Sequence, residues 1–258
     1  MVLLKNRMMV IAAALAYGLP QAAWAGPPFF TDDPEPVDYQ HWEINTAFQS
    51  THVHGDTTGD APVFDINYGA LPNVQVHITP ALAFDNNRTI GTHYGYGDTE
   101  LGVKYRFLNT DKNDWWPEVA LYPLVELPTG DLHEGLSTTG HMREFLPLWL
   151  QKDFGQWTTY GGGGYWNNAG IGNKNYWYFG WAVQRKITDN LMLGGELYHQ
   201  TSNTAAGDIA NVGSTGFNLG GSNDLSKDYH LLFSAGQALQ NVAATNAFSY
   251  YLGVQWTF

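Results

Sequence analysis

The chain has no cysteine, so neither a disulfide framework nor a thiolate metal site contributes to its stability. It also has no stretch, beyond its first 25 residues, of the ~20 apolar residues that a membrane helix needs. Such a chain enters a membrane only as a closed barrel, because in lipid every backbone N–H and C=O must be paired within the protein. Basic residues are scarce as well: 12 Lys and Arg face 24 Asp and Glu, for a formal charge of −12. That balance argues against nucleic acid as a partner. An acidic surface suits cations or divalent-bridged lipopolysaccharide, and serves equally as a solubility feature of polar loops.

Catalytic signatures are missing too. There is no G-x-S-x-G, Walker A or H-E-x-x-H sequence, and neither Gly95-Tyr96-Gly97 nor Gly161-x-Gly163 has the strand-to-helix context of a dinucleotide site. The expectation is a non-enzyme without cofactor. The enzymatic alternative, an outer-membrane lipid-modifying enzyme, would use Ser137 with His133 or His141.

What is abundant is glycine (29), tyrosine (15), phenylalanine (13) and tryptophan (10), a mixture suited to tight turns, close strand packing and interfacial aromatics. Lys5 and Arg7 precede an apolar run from Met8 to Leu19, and Ala23-Trp24-Ala25 supplies small residues at −3 and −1 of a signal-peptidase site. Residues 1–25 therefore read as a signal peptide, with export to follow. Their removal takes the charge to −14, since they hold two basic residues and no acidic one.

Residues 26–39 are rich in proline, and Pro27, Pro28, Pro34 and Pro36 lack the N–H of a strand ladder. This segment reads as an N-terminal periplasmic arm or plug ahead of a barrel spanning 40–258. Within the barrel, alternating segments recur near 40–50, 62–70, 74–84, 98–108, 116–127, 142–152, 157–167, 175–187, 191–201, 214–222, 228–238 and 247–258. The fold class is all-β: a transmembrane antiparallel up-and-down β-barrel of about 12 strands, with both termini periplasmic. Short links at 71–73, 153–156, 188–190 and 223–227 read as periplasmic turns, and 109–115 as a longer one. Segments 51–61, 85–97, 128–141, 168–174, 202–213 and 239–246 read as outer loops.

The faces separate by period two. Leu101, Val103, Tyr105 and Phe107 oppose Glu100, Gly102, Lys104 and Arg106. In the last segment Phe248, Tyr250, Leu252, Val254, Trp256 and Phe258 form one apolar face, which resembles the closing strand read by the bacterial barrel-assembly machinery. The polar faces place Glu43, Asp65, His77, Glu100, Lys104, Arg106, Glu126 and Glu196 in a lumen. A charge there costs little when solvated or paired, but an unpaired one in a dry core costs several kcal/mol. These residues are the expected constriction; the other reading is that they pair and stiffen the wall. Gly161, Gly162, Gly163 and Gly164 lie in the seventh strand, and Pro123 and Pro147 in the preceding two. The patch reads either as a bulge or as a lateral portal. His52 and His54, followed by Asp56 and Asp60, are the nearest approach to a metal site, and solvated loop histidines are the preferred reading.

PFFTDDPEPV, WEINTAFQ, GDTELGVKYRF and ELPTGD resemble the bacterial outer-membrane family of "MetA-pathway of phenol degradation" transporters. The resemblance covers most of the chain after residue 25. It implies an outer-membrane channel for passive diffusion of small molecules, aromatic or hydrophobic ones included, and it carries no catalytic signature. Outer-membrane lipid and lipopolysaccharide, the assembly machinery and a small solute are the expected partners. The non-transport alternative is a structural or surface-interaction barrel.

Overall fold

The computed structural model describes residues 26–89, 91–110, 115–204 and 213–258. The expected signal peptide and parts of the 109–115 turn and the 202–213 loop lie outside these. Twelve antiparallel strands form a closed barrel. They are β1 (Trp42–Val53), β2 (Asp56–Leu71), β3 (Val74–Thr79 and Ala81–Asn87) and β4 (Gly91–Tyr96 and Thr99–Leu108). Next come β5 (Glu118–Leu121 and Leu124–Leu127), β6 (Arg143–Phe154), β7 (Trp157–Asn167) and β8 (Tyr176–Lys186). The circuit ends with β9 (Leu191–Gln200), β10 (Ser214–Asp224), β11 (Tyr229–Ala238) and β12 (Phe248–Thr257).

Each strand pairs with its sequence neighbours, and β1 closes on β12 from Glu43 opposite Thr257 to His52 opposite Phe248. Trp42 and Phe258 lock the seam by exchanging backbone hydrogen bonds of 2.8 and 3.1 Å. Closure pairs the wall all the way round, which is the condition for a sheet to sit in lipid, and leaves a free edge only at Gly91–Tyr96, which pairs with β3 alone.

Three strands are split, two of them at proline. Pro80 divides β3, and Tyr122-Pro123 divides β5, because proline offers no ladder donor. The segments 51–61 and 85–97, read from sequence as outer loops, are instead mostly strand. β1 and β2 meet across His54-Gly55, where Gly55 adopts a positive φ of 91°. β3 and β4 likewise run up to a short turn, Asn87 standing opposite Gly91. Thr, Asp, Asn and Gly dominate both hairpins, so apolar alternation is lost although the ladder continues. The 128–141 loop is retained, with a 3-10 turn at Leu132–Glu134, and α1 (Val242–Thr245) lies in the loop between β11 and β12.

The side chains divide as the alternation demands. Leu101, Val103, Tyr105 and Phe107 lie exposed on the outside of β4 while Gly102 and Lys104 are buried inside. Phe248, Tyr250, Leu252, Val254, Trp256 and Phe258 are all exposed on β12. An apolar band of this extent is a lipid-facing surface. Stacked pairs such as Tyr229 with Trp256, and Trp177 with Phe179, mark its two margins. The folded chain should run faster on a detergent gel unheated than boiled and should sediment with outer membranes. Recovery as a detergent-free periplasmic protein would refute the assignment.

Candidate functional site

The proline-rich arm lies inside the barrel. Phe29, Phe30, Thr31, Asp32 and Pro34 are almost wholly buried, and the segment touches the inner wall along its length. Val37 N–H donates to Gln75 Oε1 of β3 at 2.9 Å. Gln151 of β6 donates to Glu35, and Ser234 of β11 donates to the Pro28 carbonyl. Gly180 of β8 has no side chain because one would collide with Thr31 Oγ1. Prolines suit this segment, since an arm that forms no ladder loses nothing by lacking N–H donors.

Two inward charges hold the arm. Glu196 accepts from Phe30 N at 2.8 Å through Oε1 and from Thr31 N and Oγ1 at 2.8 and 2.6 Å through Oε2. Asn218 Nδ2 completes its set at 2.6 Å. Lys104 Nζ sits 3.0 Å from Asp32 and 3.6 Å from Asp33, donates to the Glu35 carbonyl at 3.3 Å, and lies 4.9 Å above the Tyr122 ring. Glu196 and Lys104 were expected as constriction residues; in the structure both face inward and bind the arm.

The other inward charges form pairs within the wall. His77 bridges Asp65 at 2.9 Å and Glu100 at 3.1 Å, and Asn45 links Asp65 to Glu43 at 3.0 and 3.2 Å. Arg106 pairs with Glu118 at 2.8 Å and also reaches Asn73. Glu126 forms a two-pronged pair with Arg143, both contacts 2.8 Å, a geometry only a guanidinium offers. All eight expected lumen residues thus point inward and are partnered. Sequence reasoning missed Arg143, although its place in the Arg143-Phe145-Pro147-Trp149-Gln151 alternation marks it as inward. It missed Asp32 and Glu118 too, the first because arm residues carry no periodicity.

The inner wall is two-sided. From β1 to β4 it is polar, with Asn45, Gln49, Asn67, Gln75 and His77 buried. From β5 to β9 it is aromatic: Tyr122, Phe145, Trp149, Trp166, Tyr176, Tyr178 and Tyr198 form one buried cluster that includes Phe30 of the arm. Phe145 stacks on Trp166 at 4.7 Å, and Arg143 lies 4.6 Å over the same indole. Period two alone assigns these rings to one face without saying whether that face meets lipid or lumen.

The glycine run is not a bulge. Gly161 to Gly164 pair in unbroken register with β6 and β8. A side chain at Gly162 would strike the Leu148 carbonyl, and one at Gly163 the Phe179 ring. Glycine therefore permits close approach here. The two prolines fall on facing strands at one height, where Tyr122 N–H bonds to the Pro147 carbonyl at 3.3 Å. The β5–β6 seam lacks the donor of Pro147 at its middle, and the β4–β5 seam lacks that of Pro123, whose carbonyl accepts from Val103 N at 3.1 Å. Ser137 is buried and donates to Asp98 at 2.9 Å; neither His133 nor His141 bonds it. Asp98 also accepts from Gly130 N and Thr138 N at 3.1 and 2.7 Å, pinning the 128–141 loop down. His52 bonds Thr57 at 2.8 Å, and the His54 backbone bonds Ala243. Among the described residues no three His, Cys, Asp or Glu side chains converge for a metal ion.

No protein-family model matches the chain, and no curated protein matches it in sequence. Solved structures do resemble it in fold. The COG4313 outer-membrane channel from Pseudomonas putida F1 superposes with a TM-score of 0.68 at 13% identity, over 90% of this chain and 99% of that one. The NanC porin gives 0.56 at 10% identity over 83% and 98%. The KdgM porin, in complex with disordered oligogalacturonate, gives 0.51 at 10% identity over 84% and 99%. The chain thus has the fold of outer-membrane channel and porin barrels.

Two predictions follow from the arm's anchorage. Removing one partner of a buried ion pair costs about 3–5 kcal/mol, so Lys104→Ala should loosen the arm. Single-channel conductance should rise and cation preference increase; unchanged traces would mean that Lys104 does not control the path. Glu35 stands at the mouth, still open to solvent, and desolvation together with Asp33, Glu118 and Asp153 raises its carboxyl to about 7, against Arg106. A carboxyl raised on docking stabilises the docked arm at low pH and loses that contribution as pH rises through about 7. Conductance recorded between pH 5 and 8 should therefore increase with pH, and Glu35→Gln should flatten the profile.

Proposed function

We propose that the protein is an outer-membrane channel through which small molecules, aromatic and hydrophobic ones included, diffuse passively. Membership of the MetA-pathway family belongs to this proposal. The observation that carries it is the two-sided lumen closed by a non-covalent arm. An amphipathic solute finds rings on one side and hydrogen-bonding groups on the other, and the arm leaves when its contacts are replaced. A structural or surface-interaction barrel needs long outer loops, whereas the β1–β2 and β3–β4 hairpins are tight. Planar-bilayer recording of the refolded protein tests the reading: conductance steps should appear and small aromatics should block them transiently. A silent barrel would refute it.

A lateral route for apolar solutes is a second reading, and the facing prolines favour it. Without the N–H groups of Pro123 and Pro147 the seams on either side of β5 each lack one bond at the same height, which makes β5 the easier place to part, and the glycines of β7 pack directly behind β6. Pro123→Ala with Pro147→Ala returns two donors, each worth roughly 0.5–1.5 kcal/mol if it pairs. Uptake of an apolar aromatic into proteoliposomes should slow while ion conductance stays within twofold. A parallel fall in both would assign the prolines to pore geometry, and no change in either would leave the axial path alone.

A further inference from the structure

We propose that the lumen contains a binding site for arylalkylamines, in which the ligand's ammonium group replaces the arm's donors at Glu196 and its ring replaces that of Phe30. The proposal deepens the channel reading and rests on it, since the ligand reaches the site only if solutes enter the lumen. Glu196 is 3% exposed and takes four hydrogen bonds, three of them from Phe30 N, Thr31 N and Thr31 Oγ1 and the fourth from Asn218. When the arm withdraws, the carboxylate keeps a single protein donor and faces the lumen, with three acceptor positions vacated together. An alkylammonium offers three N–H donors, the number lost, and the compensating charge. Among the described residues Glu196 has no Lys, Arg or His in ion-pair contact. A cation from outside therefore displaces no internal one.

The ring position is equally specific. Phe30 meets Tyr198 edge-on at 4.8 Å and shares its cluster with Phe145, Trp149, Trp166 and Tyr178. The Phe30 nitrogen and its ring are joined through Cα and Cβ alone, which is the skeleton of 2-phenylethylamine. The arm thus displays, in its bound state, a ring and a donor at the separation of that ligand. A carboxylic acid of similar size would set its charge against Glu196, and a neutral analogue would fill the ring position without the charge-assisted bonds.

The test is calorimetric titration of the full chain, refolded in detergent, with 2-phenylethylamine, 2-phenylethanol and 3-phenylpropionate. Phe30→Ala removes the competing ring and should tighten amine binding at least tenfold over the parent protein. Adding Glu196→Gln should then weaken the amine at least tenfold relative to the alcohol, a ratio in which any release of the arm cancels. Heat-modifiable migration verifies that each variant is folded, and Phe30→Leu, which keeps apolar volume, replaces Phe30→Ala if that variant does not fold. The proposal is overturned if folded Glu196→Gln binds the amine as before, or if the acid binds as tightly as the amine. Flux into proteoliposomes separates this site from the channel reading: binding without flux of any solute supports the site and refutes the channel, whereas flux without amine preference refutes the site.

Discussion

Inside the barrel everything turns on a carboxylate that cannot be left alone. Glu196 is surrounded by protein and held by four donors, three of them from a segment that belongs to no strand. Lys104 poses the mirror problem and is answered by Asp32 from the same segment. The wall is therefore incomplete in charge without the arm, and the arm, lacking any periodic apolar face, has no fold without the wall. Neither contact is covalent. A group of the right sign and donor count meets the same needs, which is what the proposed exchange of arm for solute relies on.

The two faces of the sheet obey different rules. Outside, every strand must present apolar atoms to lipid, and the exposed aliphatic and aromatic residues of β4, β8 and β12 do so. Inside, polarity is free to vary, and it varies by sector: hydrogen-bonding residues line β1 to β4, rings line β5 to β9. The glycines of β7 and the prolines of β5 and β6 sit in the aromatic sector. There bulky rings already crowd the lumen, and close strand approach makes room for them. β5 thus lacks a donor bond on each side, at the border between the polar and the aromatic sectors.

Most of the barrel was legible because period two is enforced by lipid on one side and water or partners on the other. All twelve strands fall where alternation places them, and inward charges such as Glu43, His77 and Glu126 sit on the expected face. The failures share one cause. At 51–61 and 85–97 the strands run into hairpins of Thr, Asp, Asn and Gly, so composition reads as loop while backbone pairing persists. Arm contacts such as Asp32 with Lys104 are invisible for a related reason: a segment with no repeat gives no phase from which to place a side chain.

An internal plug also changes what affinity means for a lumen ligand. If the binding-competent state is the fraction of molecules with the arm withdrawn, the apparent dissociation constant is the intrinsic one divided by that fraction. Contacts made only by the arm, such as Ser234 with the Pro28 carbonyl and Gln75 with Val37, then govern affinity without touching the solute. Contacts that arm and solute both require, above all Glu196, act in opposite directions: weakening Glu196 frees the arm and at the same time removes what the solute would bind. A substitution at Glu196 alone mixes these two effects, whereas one at Ser234 acts through the arm's Pro28 carbonyl. The wall residues therefore divide into those that hold the plug and those that the plug shares with its replacement, and the donor sets visible in the structure draw that division.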